Sequence, residues 1–370
     1  MKGFKNSNIY VAGLGVVKTS LCFENGLITQ IGDCEDDDLI ELPSDQIVVP
    51  GFIDEHIHGC HGHDVMDASA EGLIDMAKNL TQEGVTFFCP TTMSMSLDDI
   101  AQALENIKKV KTIDYEGAEI IGVHLEGPFI SPLHAGAQAS QHIIPGDKAQ
   151  FEKLIKLSQD DIRIVTFAYE NGGHHILPVM VEKGITPSLG HSDAHAEQAF
   201  QAIKEGARCA THCYNAMRGL HHRDVGVLGA VLMSDEVMCE LIADFKHVSE
   251  DAIRLLFKVK GPDKIVLVSD SMEAKYLADG QYNLGGQKVY LKDEAARLEN
   301  GVLAGSVLRL DQALKNIQRV LPELTFTQVI DLVTKNPAKN LRLDEIGSIK
   351  VGNRARFAVV TRDYTVIKTI

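Results

Sequence analysis

IVVPGFIDEHIH, residues 47–58, marks the point where the chain changes character. Before it, IYVAGLGVV, SLCFENG and LITQIGD are short runs of branched apolar residues broken by Gly, Asn and Asp, the pattern of strands and turns. From it onward, apolar strand candidates alternate with helical stretches. The later strands are VTFFCPTT (85–92), EIIGVHLEG (119–127), RIVTFAYE (163–170), ITPSLGHS (185–192), RCATHCYNA (208–216), MCELIADFKH (238–247) and KIVLVSD (264–270). Among the stretches between them, AEGLIDMAKNLTQEG, LDDIAQALENIKKV, HAEQAFQAIKEG and EDAIRLLFKVKG space their apolar residues near the helical period, and most end in Gly. Eight strands with intervening helices are the count of a (β/α)8 TIM-like barrel. A doubly wound sheet is the runner-up, but it usually has fewer strands and a glycine-rich phosphate turn, and neither GxGxxG nor GxxxxGK[ST] occurs. The tail GSIKVGNRARFAVVTRDYTVIKTI (347–370) reads like the opening segment. Residues 1–49 plus 341–370 are therefore expected to build one small β-sandwich domain from both chain ends, around a barrel at 50–340.

Composition bounds the partners. The 370 residues carry 51 acidic and 36 basic side chains, a net charge of −15. So acidic a chain has no electrostatic footprint for nucleic acid or an anionic membrane. Hydrophobic residues at 45% and charged residues at 24% are ordinary for a globular protein. No run of eighteen apolar residues predicts a membrane span, and the N-terminal segment lacks the apolar core of a signal peptide. The seven cysteines (Cys22, Cys34, Cys60, Cys89, Cys209, Cys213, Cys239) contain no CxxC pair and mostly sit in apolar runs, as reduced thiols in a cytoplasm would. The acidic run EDDD at 35–38 reads as a solvated turn.

Polar residues gather at the predicted strand ends. His56 and His58 close the first strand, Glu126 the third, His191 the fifth, His212 the sixth and Asp270 the eighth. In a barrel these ends converge on one face, where such folds place their chemistry. Residues two apart on a strand share a side, so His56 and His58 can reach one metal together. A lone strand-end histidine is more often a hydrogen-bonded structural residue. Six such residues on five strands are far harder to obtain by chance, and imidazole with carboxylate suits zinc and similar divalent ions. His124 shares a strand face with Glu126 and is a candidate supporting residue. His61 and His63 either line the mouth or are solvated. His174, His175 and His195 read as helix-start or surface residues, and His221 and His222 lie in a loop beside Arg223.

PGFIDEHIHG (50–59), HLEGPF (124–129), GHSDA (190–194), THCYNAM (211–217), IADFKH (242–247), VSDSM (268–272) and LAGS (303–306) resemble, in order, the motifs of the N-acetylglucosamine-6-phosphate deacetylases within the amidohydrolase superfamily. PGFIDxHxHG is common to many amidohydrolases; HLEGPF with THxYNAM is specific to this group. The resemblance implies that Glu126, His191 and His212 are metal ligands and that Asp270 is both the catalytic acid/base and a metal ligand. It places Asn215 and Ala216 at the substrate's phosphate and His247 at the sugar. Leu303, Ala304 and Gly305 match a loop near the substrate. Arg223 matches an arginine that reaches the phosphate from the neighbouring subunit of a homodimer. Because His56 and His58 stand where some members have Gln and Asn, a two-metal site bridged by Glu126 is expected, with zinc or iron first and manganese or cobalt also accepted. In AGAQAS, Ala137 and Gln138 are expected at the substrate; Gln138 stands where some members carry a carbonyl-polarising histidine, and its neutral amide donates a weaker hydrogen bond than an imidazolium, leaving more of the carbonyl activation to the metal. RIVTFAYE lacks the lysine that other amidohydrolases carbamylate.

The expected reaction is amide hydrolysis. Asp270 takes a proton from the attacking water and delivers it to the sugar nitrogen, giving acetate and glucosamine 6-phosphate. Three other readings stay open: N-acetylgalactosamine 6-phosphate as substrate, a different metal-dependent amidohydrolase, or a non-catalytic binding protein on the same barrel.

Overall fold

In a computed structural model, residues 2–34 and 39–370 are described, so the acidic run at 35–38 lies outside the described residues. The eight parallel strand positions appear in the predicted order. They are Phe52–Ile57, Val85–Pro90, Glu119–Ile120 continued by Val123–Glu126, Ile162–Phe167, Thr186–Leu189, Cys209–Ala210, Met238–Leu241 and Ile265–Leu267. They pair as a three-stranded and a six-stranded parallel sheet. Bridges between Thr91 and His124, and between Ile57 and Ser271, link these sheets at both margins. At the second link the Asp270 N–H donates to the His56 carbonyl at 2.9 Å. The first and last strands thus bring their reactive residues side by side.

Helices Ala70–Leu80, Leu97–Val110, Ala196–Glu205 and Glu250–Lys260 fall inside their predicted stretches. Ser69, Ser96 and Ser249 cap three of them by accepting the backbone N–H of Gly72, Asp99 and Ala252. Each cap satisfies a donor that the first turn would otherwise leave unpaired. The buried faces join one large core with the strand side chains, among them Ile53, Phe88, Leu125, Val165 and Leu241.

The stretch 47–58 is split between two sheets. Gln46–Pro50 joins a six-stranded mixed sheet, and Phe52–Ile57 begins the parallel set. Gly51, between them, packs tightly on Thr86, where a Cβ would lie 1.9 Å from the hydroxyl. The mixed sheet also contains Lys2–Val11, Gly15–Glu24 and Leu27–Ile31 from one end of the chain, and Phe357–Thr361 and Val366–Thr369 from the other. It has its own apolar cluster, centred on Phe4, Ile9, Leu21, Val48 and Phe357.

A third element was not anticipated. Gly280–Leu284, Gln287–Lys292 and Ala295–Leu298 form an antiparallel three-stranded sheet after the last parallel strand. Its first turn is Gly285-Gly286, both at positive φ (53° and 79°), as tight hairpin turns require. Leu284, Val289 and Leu291 pack against Met93 and Met272, placing this sheet beside the strand ends.

The segment after Asp270 is anchored by a buried ion pair. Lys275 and Glu83 are both fully buried and in contact, and Glu83 also accepts the Tyr276 hydroxyl at 2.8 Å and the Leu310 N–H at 2.6 Å. Removing one partner of such a pair leaves an uncompensated charge, so Lys275→Met should cost about 3–5 kcal/mol of stability in urea unfolding. A loss below about 1 kcal/mol would show that the pair does not anchor this segment.

Candidate active site

His56 and Glu126 lie in their strands, while His58, His191, His212 and Asp270 stand one to three residues beyond theirs. All six are buried and converge. His56 Nε2 and His58 Nε2 are 3.3 Å apart, and His191 Nε2 and His212 Nε2 are 3.1 Å apart. Glu126 stands between the two pairs. Its Oε2 is 3.1 Å from His58 and 3.6 Å from His56, while its Oε1 is 3.3 Å from His191 and 3.2 Å from His212. Asp270 Oδ1 completes the first pair, 3.4 Å from His56 Nε2 and 3.3 Å from His58 Nε2.

These residues fit metal ions. Two ring nitrogens each about 2.0–2.1 Å from a tetrahedral ion lie about 3.3 Å apart, close to the spacing of both pairs. His58 Nδ1 faces the Thr91 carbonyl at 3.2 Å and His191 Nδ1 the His134 carbonyl at 2.8 Å. Both rings therefore keep the proton on Nδ1 and turn the Nε2 lone pair inward. Glu126 Oε1 has no hydrogen-bond donor although it is buried. A bound cation would satisfy it.

The cluster forms the floor of an open cleft of about 180 Å³. Ala137, Gln138, Asn215, Ala216, His247, Leu303 and Gly305 line it together with His58, Glu126, His191, His212 and Asp270. Leu284, from the unanticipated sheet, closes one wall, and Gln287 of that sheet donates its side-chain amide to the Ala137 carbonyl. The flanking glycines and alternating apolar residues of QYNLGGQKVYLK were the available signal for this hairpin. His247 is held by its Nδ1 against Asp244 Oδ2 at 2.7 Å.

Two expected substrate residues lie elsewhere. Ala304 is fully buried, with its N–H on the Ala296 carbonyl at 3.0 Å, and it packs into the small apolar cluster between its two cleft-lining neighbours. Arg223 is exposed, 2.9 Å from His222 Nε2, and does not line the cleft of its own chain. The remaining histidines also settle. His61 pairs with Asp75 on the surface, and His63 lies 3.6 Å from the same carboxylate. His195 caps the helix Ala196–Glu205, and His174 and His175 start His174–Lys183. His124 sits beneath the cluster, with its ring 4.4 Å from that of His56 and its nitrogens on Thr166 Oγ1 and the Glu55 carbonyl.

The amidohydrolase family profile matches residues 47–370. The chain belongs to the amidohydrolase family. It is 40% identical over 90% of its length, and 85% of the relative's, to N-acetylglucosamine-6-phosphate deacetylase of Bacillus subtilis (strain 168). It is 36% identical to N-acetylgalactosamine-6-phosphate deacetylase of Escherichia coli O157:H7, over 84% of this chain and 82% of that one. The crystal structure of N-acetylglucosamine-6-phosphate deacetylase from Thermotoga maritima superposes with a TM-score of 0.90 at 34% identity, covering 100% of this chain and 97% of that one.

The electrostatics of this amidohydrolase site are those of a cation receptor. Burial pushes the Glu126 carboxyl up, but the charge on His56 and the nearness of the His191 and His212 rings hold it well below the usual range. Burial likewise raises Asp270, yet His56 and His58 more than reverse it and hold the carboxyl at about 2. In turn, burial lowers His58, but the Asp270 and Glu126 carboxylates beside it raise it to about 9. Protons on these rings and metal ions answer the same buried negative charge. The backbone is also strained here: His191, His212 and Asp270 have φ of 46°, 31° and 46°. A non-glycine residue at such angles costs about 1–3 kcal/mol, and strain of this kind collects at functional sites.

The Gln138 amide is engaged inside the protein. Its Oε1 accepts the Ser94 N–H at 2.6 Å, which turns Nε2 toward Glu126 Oε2 at 2.8 Å.

Proposed function

We infer that this amidohydrolase hydrolyses the acetamido group of N-acetylglucosamine 6-phosphate, releasing acetate and glucosamine 6-phosphate. The observation that carries the reading is the carboxylate standing between two histidine pairs at the floor of an open cleft, in a chain 40% identical to a named deacetylase. His56, His58, Glu126, His191 and His212, with Asp270 beside the first pair, would hold two divalent ions, zinc or iron first. Bound there, the ions supply a water activated for attack and polarise the amide carbonyl. Asp270, an ionised carboxylate facing the first pair, accepts the proton of the attacking water. It returns that proton to the sugar nitrogen as the C–N bond breaks. His247, oriented by Asp244, presents Nε2 to the sugar, and Asn215 and Ala216 bind the phosphate.

The parallel strand positions, linked at both margins, support one closed (β/α)8 barrel over 50–340. Residues 1–49 and 341–370 then form the small β domain. No helix among the described residues is long and apolar enough to cross a membrane, and the seven cysteines are all free, which supports a reducing cytoplasmic setting. The exposed place of Arg223 supports its reaching the phosphate in the adjacent subunit of a homodimer. Arg223→Ala should raise KM for the phosphorylated sugar about 10–100-fold, the worth of a charged hydrogen bond, and spare unphosphorylated N-acetylglucosamine. Equal losses on both sugars would remove the arginine from the phosphate.

A complete ligand set argues against a non-catalytic binding protein. The deciding experiment is acetate release by the metal-loaded protein from the gluco and galacto 6-phosphates side by side. Faster turnover of the galacto epimer, or none of either, would overturn the reading.

A further inference from the structure

Glu240 lies in the strand Met238–Leu241, inside the apolar run MCELIA, and is fully buried. It lies outside the lining of the cleft. An isolated carboxylate at such a place is costly unless something pairs with it. Among the described residues its ion-pair partner is His56 alone, with Oε2 2.8 Å from His56 Nδ1. The same oxygen accepts the His212 backbone N–H at 3.2 Å. One buried oxygen therefore holds a member of each histidine pair, from two strands that are not neighbours. The other rings are tied differently. His58 and His191 give Nδ1–H to backbone carbonyls, and His212 Nδ1 has no partner.

We propose that Glu240 is a positioning residue: it keeps the proton of His56 on Nδ1, aims the Nε2 lone pair at the metal site, and makes His56 the most strongly donating ring of the four. An anionic acceptor behind an imidazole fixes its tautomer and raises its basicity, where a neutral carbonyl does so less. Glu240 touches neither substrate nor reacting atoms and acts only through His56 and His212. The inference rests on the metal-site reading above.

The test uses the full chain, with zinc as probe, titrated against a competing chelator. Glu240→Ala should weaken zinc binding about 10–100-fold. Glu240→Gln keeps the shape and an acceptor oxygen but loses the charge, and should fall between the two. Excess zinc should restore turnover in both variants with KM for the sugar phosphate unchanged, which a packing defect would not allow. Zinc affinity within twofold of wild type in both variants, or activity that excess zinc does not restore, would overturn the proposal. Wild-type protein that binds no zinc would overturn the metal reading and this inference with it.

Discussion

Asp270→Asn should lower kcat about 10²–10⁴-fold, the usual worth of general acid/base transfer, while metal content stays at the wild-type value. The substitution keeps the shape and removes only the capacity to take and return a proton. Five metal-facing groups remain after it, so metal should be retained even though Asp270 Oδ1 faces the first pair. KM for the sugar phosphate should change little, because the groups proposed to bind sugar and phosphate lie elsewhere in the cleft. Elemental analysis and an acetate-release assay check both halves. Metal loss in step with activity would make Asp270 chiefly a ligand, and undiminished turnover would remove it from the chemistry.

Glu126→Gln should act through the metals instead, and its loss should be unequal between the two histidine pairs. Gln138 is fixed by the Ser94 N–H and presents its own amide hydrogens to position 126 at 2.8 Å. A glutamine there must turn its carbonyl toward Gln138 to avoid two facing donors. Its NH2 then points at His191 and His212, where it cannot ligate. That half of the site should lose its metal, lowering total content to about half and turnover about 10³-fold or more, the scale seen when a group essential to the chemistry is lost. Elemental analysis, repeated with His191→Ala in the same background, checks the asymmetry: the second change should remove no further metal. Full metal content in Glu126→Gln would show that the carboxylate is not shared.

The convergence of His56, His58, Glu126, His191, His212 and Asp270 was legible because each stands at the end of a strand whose apolar run is unmistakable, so position along the chain implied position in space. Glu240 was not legible. It sits mid-strand in MCELIA, and nothing in the order of residues shows that the ring of His56, 184 positions away, turns toward it. Gln138 was visible as a departure from pattern, but the direction of its amide depends on the Ser94 N–H, 44 residues earlier. The antiparallel sheet at 280–298 carried its own signal in Gly285-Gly286, yet the regular alternation of strand and helix before it gave no reason to expect another hairpin. Ala304 shows what motif spacing leaves out: Leu303 and Gly305 line the cleft while the side chain between them packs into the small apolar cluster.

The mixed sheet has a consequence for how the molecule is made. Val359 pairs with Val48, a partner synthesised 311 residues earlier. At typical ribosomal rates of about 5–20 residues per second, those early strands wait roughly 15–60 s for their neighbour. Throughout that interval Gln46–Pro50 presents an unfilled hydrogen-bonding edge to the cell, on a segment whose side chains are mostly apolar. The metal-facing half of the chain can begin to assemble in order as it emerges. The sheet that joins the two ends can close only last, and crowding by other nascent chains falls on it first.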